Sequence, residues 1–494
     1  MTTRVRLLAG SRLARGGRAG PGVMALVACW TASAGLYVWF WTRPLWLPDW
    51  PLDTGALDPT ATLGLNYGGL AHYILGFVLP SLVYVAALPA AWRLRERLRA
   101  GWVVAGAVGL AASLWLAYPI LAADVFDYLM IGRLVEHYHV NPYVHVADEF
   151  PSDPYYPPVG WPDLRSVYGP LFNGLVAVPA LLAGGDTLAA LLIFKAFIIA
   201  VHGANTWLVF RLASERDLER AGFAALAYGW NPMAVMFFGV DGHNDALMLL
   251  FAGAAALASL RGRHDLALPL LTAGALTKFV PAILLPVYLL AARRSPRRMA
   301  AGLVASAALT LLAFAPQWAG IGTFDGVRDQ GSRQTSSLAA ILTFAFDDKP
   351  LARSLMVGAF AAGYTFTLLR VKGVTRQTFA ILSLYLVTVA FWFKGWYITW
   401  PLMFGAALGG PALAVALAWS IGPFLNPVFG AWGWLMYWWD WHRRWGLWMM
   451  EAWLAASLLV PLAAGVLGVG VWSLLRRWAL PGAAAQTEPT KAST

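Results

Sequence analysis

Two aspartates, Asp124 and Asp127, follow directly on an apolar run at residues 102–121. A spacing of three places both carboxylates on one face if the segment is helical. Two carboxylates a few ångström apart raise the pKa of one of them, which suits a general base. The plainer alternative, which the spacing alone favours, is that Asp124 ends a helix at the edge of an apolar span.

Lysines within apolar runs are the next candidates, because a buried cation needs an anion or a cavity. Lys195 lies mid-run between residues 187 and 210, too far from either end for simple snorkelling. Lys278 lies where the run 266–291 is interrupted, and a broken helix with a lysine predicts an anion site, most simply for a lipid phosphate. The loop 317–337 adds two further cations, Arg328 and Arg333.

A polar turn and two aromatic clusters complete the candidates. The turn separates two apolar runs and is either a capped connector or part of a polar site; it comprises Asp241, Gly242, His243, Asn244 and Asp245. One aromatic cluster comprises Lys394, Trp396, Tyr397 and Trp400. A second, tryptophan-rich stretch at residues 432–448 is typical of an interfacial aromatic belt.

The composition identifies the surroundings of these residues. Of 494 residues, 59% are hydrophobic and 12% charged, against roughly 25% charged in soluble domains. This excludes a cytosolic enzyme and a disordered chain, and the single cysteine, Cys29, excludes an internal disulfide and a cysteine metal cluster. The sequence therefore predicts an integral membrane protein that crosses the bilayer many times.

The net charge of +11 is distributed in short basic clusters between apolar runs. A nucleic-acid-binding protein would gather its basic residues on one solvated face, whereas clusters between spans mark cytoplasmic loops. The amino-terminal arginines should therefore lie inside. They are Arg4, Arg6, Arg12, Arg15 and Arg18. A cleaved leader ending at Ala32-Ser33-Ala34 is the alternative, but the apolar run continues to Trp41.

The hydropathy pattern predicts an all-α polytopic protein with about 11–13 transmembrane helices, some of them broken or re-entrant. Three runs fit a full crossing badly, namely 169–183, 266–291 and 398–425. Each carries a helix breaker: Gly184-Gly185, Pro281 and Gly409-Gly410-Pro411 respectively. Non-helical backbone at membrane depth is tolerated only beside protein or a water-filled cavity, and such breaks often mark binding sites.

One segment is too long for a simple connector. Residues 122–168 carry seven acids, two arginines and several tyrosines, which indicates a functional loop outside the cytoplasm. We expect residues 1–480 to form a single membrane domain, with this loop as its catalytic part. Residues 481–494 are small and polar, and we expect a disordered cytoplasmic tail.

Common soluble-enzyme motifs are absent from the sequence. It has no phosphate-binding loop, dinucleotide-binding glycine pattern, zincin motif or serine elbow. The polar residues lie on the predicted outer face, where cytosolic nucleotides are not accessible. A lipid-linked activated substrate is the natural alternative.

Five segments follow one another along the chain: DVFDYLMIGRLVEHYHVNPY from Asp124, Tyr168-Gly-Pro-Leu-Phe172, Asn231-Pro232 to GHNDALM, Thr277-Lys278-Phe-Val-Pro281 and Trp396-Tyr397-Ile-Thr-Trp400. In this order they resemble GT-C glycosyltransferases, and within that class the bacterial polyprenyl-phosphate-mannose-dependent alpha-mannosyltransferases. Together they cover most of the chain from about residue 120 to 405. The resemblance rests on all five segments and on their order.

The resemblance implies an inverting glycosyltransferase with its catalytic carboxylate in the first outer loop. Asp124 would then be the base and Asp127 a helper, although many relatives carry a small polar residue at the second position. Phosphate-binding candidates are Lys278, Lys195, Arg328 and Arg333. Sugar-binding candidates are Tyr168, His243, Asn244, Asp245, Trp396 and Tyr397. Family members of this kind are not generally thought to need a metal, and no cofactor is expected.

The expected partners are membrane lipid, a polyprenyl-phosphate sugar donor and a glycan or glycolipid acceptor, with no nucleic acid. The expected location is a bacterial plasma membrane, with the amino terminus cytoplasmic and the active site extracytoplasmic. Mannose is implied by the resemblance alone. A transporter or flippase of lipid-linked glycans is the competing class, although it would not need a long acidic loop that begins with paired aspartates.

Overall fold

The computed structural model describes residues 20–438 and 447–479. Within them the fold is all-α, as the sequence predicts, and the only β features are two isolated bridges, Trp46–Ala117 and Thr335–Trp392. Three sequence predictions fall outside the described residues. They concern the amino-terminal arginines, the tail 481–494 and the tryptophans Trp439, Trp441 and Trp445.

Most of the described α-helices lie in apolar stretches of the sequence, and several of them begin after an Asp, Asn or Ser whose side chain accepts a hydrogen bond from a backbone N–H of the first turn. The described α-helices are Pro21–Tyr37, Pro59–Leu63, Tyr67–Arg93, Ala100–Ala112, Asp124–Glu136, Pro170–Ala183, Thr187–Ser214, Leu218–Gly229, Pro232–Gly239, Asp245–Leu260, His264–Thr277, Leu285–Ala292, Pro296–Phe314, Asp325–Ser332, Leu338–Phe346, Lys349–Arg370, Val374–Thr388, Thr399–Leu408, Gly410–Trp419, Gly422–Pro427 and Leu447–Ala479. Short 3₁₀ turns cover Leu47–Asp49, Ala147–Glu149, Val280–Leu284, Gly320–Phe324 and Gly395–Ile398, and π-helical turns cover Val38–Thr42 and Val428–Trp438.

Within the described part of the chain, six helical segments are long and apolar enough to cross a membrane. They are Pro21–Thr42, Tyr67–Arg93, Thr187–Ser214, Pro296–Phe314, Gly410–Gly433 and Met449–Ser473. Four shorter apolar helices accompany them: Ala100–Ala112, Pro170–Ala183, Asp245–Leu260 and Val280–Ala292. The protein is therefore a polytopic membrane protein, and the count of 11–13 crossings stays a prediction.

The three runs that fit a full crossing badly are short or broken. The run 169–183 is a single helix of 14 residues that ends before Gly184, whose φ of 60° stops it. The run 266–291 is interrupted at Lys278 and Phe279 and continues through a 3₁₀ turn that contains Pro281. The run 398–425 is divided at Gly409 into a helix of ten residues and the start of a long apolar span.

The apolar run 102–121 is not one helix, which differs from the sequence prediction. Its helix ends at Ala112, and residues 113–123 form turns and extended backbone before the next helix begins at Asp124. Part of this backbone is paired with an earlier loop, since Leu47 donates to the Leu116 carbonyl and Tyr118 to the Leu45 carbonyl, both at 2.8 Å. Hydropathy alone does not distinguish a helix from extended chain that is satisfied in this way.

The helix Asp124–Glu136 is fixed by close packing on its neighbours. It contacts Pro170–Ala183, and a Cβ on Gly132 would lie only 2.2 Å from the Val176 carbonyl oxygen, so only glycine allows this approach. The Gly169 amide donates to the Thr277 carbonyl at 3.1 Å. This contact joins the loop that follows the helix to the break at Lys278, although the two are far apart in sequence.

Candidate active site

Two adjoining cavities meet at Asp124. The loop cavity, of 470 Å³, lies between the start of helix Asp124–Glu136 and residues 159–168. The helix-break cavity, of 290 Å³, reaches the interruption at Lys278. The residues that line both cavities are Asp124, Val167, Tyr168, Gln330, Trp392 and Tyr397. Asp124 is the only acidic residue among them, so one carboxylate can face the contents of both cavities.

Asp124 and Asp127 lie in the first turn of one helix, which confirms the predicted helical segment. Their surroundings differ. The Asp127 carboxylate accepts a hydrogen bond from the Trp161 amide at 2.9 Å and holds the loop, whereas its other oxygen, Oδ2, is buried without a partner. Burial and the neighbouring Asp124 raise the pKa of Asp127 well above its ordinary value. An Asp127 that holds the loop through the Trp161 amide is consistent with the helper role.

Asp124 has different electrostatic surroundings, because two lysines lower its pKa. Burial raises the pKa of Asp124, while Lys394 and Lys278 both lower it. Lys394 lines the loop cavity and Lys278 lines the helix-break cavity. Of the two carboxyls, Asp124 is thus the one whose ionised form is supported by nearby cations.

The Lys278 ammonium is surrounded by a carboxylate and two aromatic rings. Its Nζ lies 2.9 Å from both carboxylate oxygens of Asp245, and the Trp400 indole N–H donates to the same carboxylate. The rings of Tyr397 and Trp400 lie 4.8 and 5.6 Å from the ammonium. The Asp245 side chain is fully buried and that of Lys278 is 14% exposed, so Asp245 orients a lysine that lines the helix-break cavity.

The polar turn lies behind the cavity wall. His243, Asn244 and Asp245 are fully buried and line neither cavity, which does not support the expected direct contact with a sugar. The His243 ring instead stacks on Trp396, with 4.3 Å between ring centroids. The other expected sugar-binding residues, Tyr168, Trp396 and Tyr397, do line the loop cavity.

The predicted phosphate ligands lie in different places relative to the two cavities. Lys278 lines a cavity, and the Arg333 guanidinium lies 4.6 Å from the ring of Trp161, which lines the loop cavity. Arg328 is exposed and lines neither cavity. Lys394, a member of the aromatic cluster to which the sequence assigns no individual role, lines the loop cavity together with Asp124.

Lys195 lies away from both cavities. Its side chain is fully buried, and Nζ donates to the carbonyls of Ala117 at 2.5 Å and Leu114 at 3.4 Å. On the same stretch, the Asp241 carboxylate accepts from the Leu121 amide at 3.1 Å. The expected phosphate contact of Lys195 is therefore replaced by another role: Lys195 and Asp241 hold the extended backbone that leads to Asp124.

We expect Lys195→Met to lower kcat by about 10- to 100-fold with the donor KM unchanged, since a small displacement of a catalytic group costs that much. Lys195→Gln keeps an uncharged donor for the carbonyls and should retain more activity than Lys195→Met. A phosphate ligand would behave differently, with a raised donor KM and an equal loss in both variants. Steady-state kinetics on the two purified variants, with thermal unfolding as a check of folding, separates the roles.

A comparison with known families decides the class of this site. The model of the family "Alpha-(1->6)-mannopyranosyltransferase, N-terminal domain" matches residues 22–294, more than half of the chain. The chain belongs to this family. The resemblance to GT-C alpha-mannosyltransferases is thereby confirmed. No curated protein matches the sequence.

The part of this mannosyltransferase that matches the family includes Asp124, Tyr168 and Lys278, but not Lys394 or Trp396. The carboxyl-terminal part thus supplies the second lysine and much of the aromatic wall. Among the described residues, no group of three or more histidines, cysteines or acids is placed to hold a metal ion. Metal independence stays a prediction.

Proposed function

We propose that this protein transfers a mannosyl residue from a polyprenyl-phosphate donor to a hydroxyl of a glycan or glycolipid, with inversion, at the extracytoplasmic face of a bacterial plasma membrane. The family description makes a 6-hydroxyl the acceptor group to test first. The observation that carries the proposal is the position of Asp124, which lines the loop cavity together with Lys394 and the helix-break cavity together with Lys278. With the donor in one cavity and the acceptor in the other, a base at Asp124 would reach both substrates.

The helix-break cavity suits the donor. It combines Lys278 with apolar side chains such as Phe279, Ile283 and Phe391, which fits a phosphate that carries a lipid chain. The loop cavity has Trp161, Arg165 and Asn426 in its wall and suits a hydrophilic acceptor. Aromatic rings with polar side chains are a common surface for sugars, because the ring face covers C–H groups while hydroxyls find hydrogen bonds.

The chemical step follows from this arrangement. Asp124 accepts the proton of the acceptor hydroxyl, whose oxygen attacks the anomeric carbon from the face opposite the phosphate. The bond from that carbon to the phosphate oxygen breaks, and the electron pair leaves with the polyprenyl phosphate. Negative charge grows on this leaving group, and Lys278, oriented by Asp245, stabilises it.

The proposal is tested with purified protein in nanodiscs, supplied with polyprenyl-phosphate-mannose and an oligomannoside acceptor. We expect new α-linked product, identified by its NMR coupling and by linkage-specific mannosidases, without any gradient across a bilayer. A flippase would form no product under these conditions. Absence of product with this donor, together with product from another polyprenyl-phosphate sugar, would contradict the assignment of mannose.

The pH dependence tests the roles of Asp124 and Lys394. Because Asp124 must be ionised to accept a proton, kcat/KM should fall as pH falls through its pKa, which burial raises above the ordinary value. Lys394→Met removes a cation that lowers this pKa, so the acidic limb of the profile should move to higher pH. Lys372→Met, which removes an exposed lysine that lines neither cavity, should leave the limb in place. An unmoved limb in Lys394→Met would contradict this electrostatic role.

A further inference from the structure

A third cavity lies apart from the active site. It has a volume of 460 Å³, is lined by parts of helices Pro21–Tyr37, Ala100–Ala112 and Leu218–Gly229, and shares no lining residue with the loop or helix-break cavities. We call it the arginine groove, because two arginines, Arg97 and Arg99, line it and all its other lining side chains are apolar.

The floor of the arginine groove is built by two tryptophans. The Trp30 indole donates to the Gly106 carbonyl at 2.9 Å, and the Trp230 indole donates to the Val103 carbonyl at 3.2 Å. Since these bonds satisfy the indole N–H groups, the ring surfaces in the groove are apolar. Val27 and Trp102 in the wall are 58% and 75% exposed, so the groove offers an apolar surface to a hydrocarbon chain.

The arginines give the groove a positive end. Both lie in the connection between helices Tyr67–Arg93 and Ala100–Ala112, and a connection between two apolar helices is at a membrane surface. Neither arginine has an acidic partner among the described residues, whereas the neighbouring Arg95 pairs with Glu96 at 3.2 Å. The free amides at the start of helix Ala100–Ala112 add partial positive charge at the same end.

We propose that the arginine groove binds an acidic phospholipid. Its phosphate is held by Arg97 and Arg99, and one acyl chain lies on Trp30 and Trp230. Residues 1–19 are an unsuitable occupant, because they carry five arginines and no acid and would be repelled by the positive end. This site is independent of the donor site, since the two have no residue in common.

The test is native mass spectrometry of the full-length protein in mild detergent, titrated with phosphatidylglycerol or phosphatidylcholine. We expect tight retention of phosphatidylglycerol and about 30-fold weaker retention in the double variant Arg97→Gln/Arg99→Gln, which corresponds to about 2 kcal/mol for two interfacial arginines. The control Arg293→Gln/Arg294→Gln removes equal charge from another connection whose arginines line none of the described cavities, and should bind normally.

A second variant tests the apolar part of the groove. Val27→Trp fills it and leaves both arginines in place, so phosphatidylglycerol retention should fall while thermal unfolding stays cooperative. Equal retention of the two lipids would overturn the proposal, and so would an equal loss in both double variants. A stable dimer that hides the groove would also overturn it. None of these outcomes depends on mannosyl transfer.

Discussion

Asp124→Asn is expected to lower kcat/KM by about 10³-fold or more while the protein inserts and folds normally. A general base contributes typically 10²- to 10⁴-fold, and the amide of asparagine cannot accept the proton. The side chain keeps its size, so both cavities keep their shape. The measurement is initial-rate mannosyl transfer with purified enzyme, over a range of donor and acceptor concentrations.

The chain provides a matched control one helical turn away. Asp127→Asn keeps a carbonyl oxygen that can accept from the Trp161 amide, so we expect a loss of less than about tenfold. Near-normal activity in Asp124→Asn would remove the base from the mechanism. Inactivity in Asp127→Asn with activity in Asp124→Asn would exchange the two roles.

The elements that the sequence predicts well are those determined locally. The interruption at Lys278 and the break at Gly409 follow from lysine, proline and glycine in the run itself, so their positions can be predicted directly. The helical phase of Asp124 and Asp127 is local too. These features position the candidate base and the lysine of the helix-break cavity.

The features that sequence analysis places incorrectly depend on packing between distant segments. Lys195 is a buried cation in an apolar run, and its carbonyl partners lie about 80 residues earlier, in a stretch that hydropathy predicts to be helical. Asp245 is buried and lines neither cavity. Its carboxylate accepts hydrogen bonds from Lys278 and Trp400, which lie 33 and 155 residues later in the chain. A pattern within one segment does not reveal such pairings, since they exist only in the folded protein.

Lys394 shows a further limit of sequence analysis. Aromatic residues next to a lysine also occur in interfacial belts, where the lysine normally faces lipid headgroups. In the fold its ammonium lies 4.8 Å from the Trp392 ring, at the cavity that holds Asp124. The same residue types can thus form an interfacial belt or a functional site, and the packing of the loops determines which of the two they form.

The Lys278–Asp245 pair provides the second large effect. Lys278→Met should lower kcat/KM by about 10²- to 10³-fold, the loss typical for one group that stabilises developing negative charge. It should also destabilise the protein by about 3–5 kcal/mol, because the Asp245 carboxylate remains buried without its cation. Thermal unfolding and transfer kinetics on the same preparation measure the two effects.

The double variant Lys278→Met/Asp245→Asn separates the catalytic effect from the structural one. Removing both charges abolishes the penalty of an unpaired buried carboxylate, so the unfolding temperature should return close to that of the original protein. The activity should stay low, because no ammonium faces the leaving phosphate. If the double variant regained both stability and activity, Lys278 would be a structural counter-ion of Asp245 alone. Lys372 is exposed and lines neither cavity, so Lys372→Met should change neither the unfolding temperature nor the transfer activity.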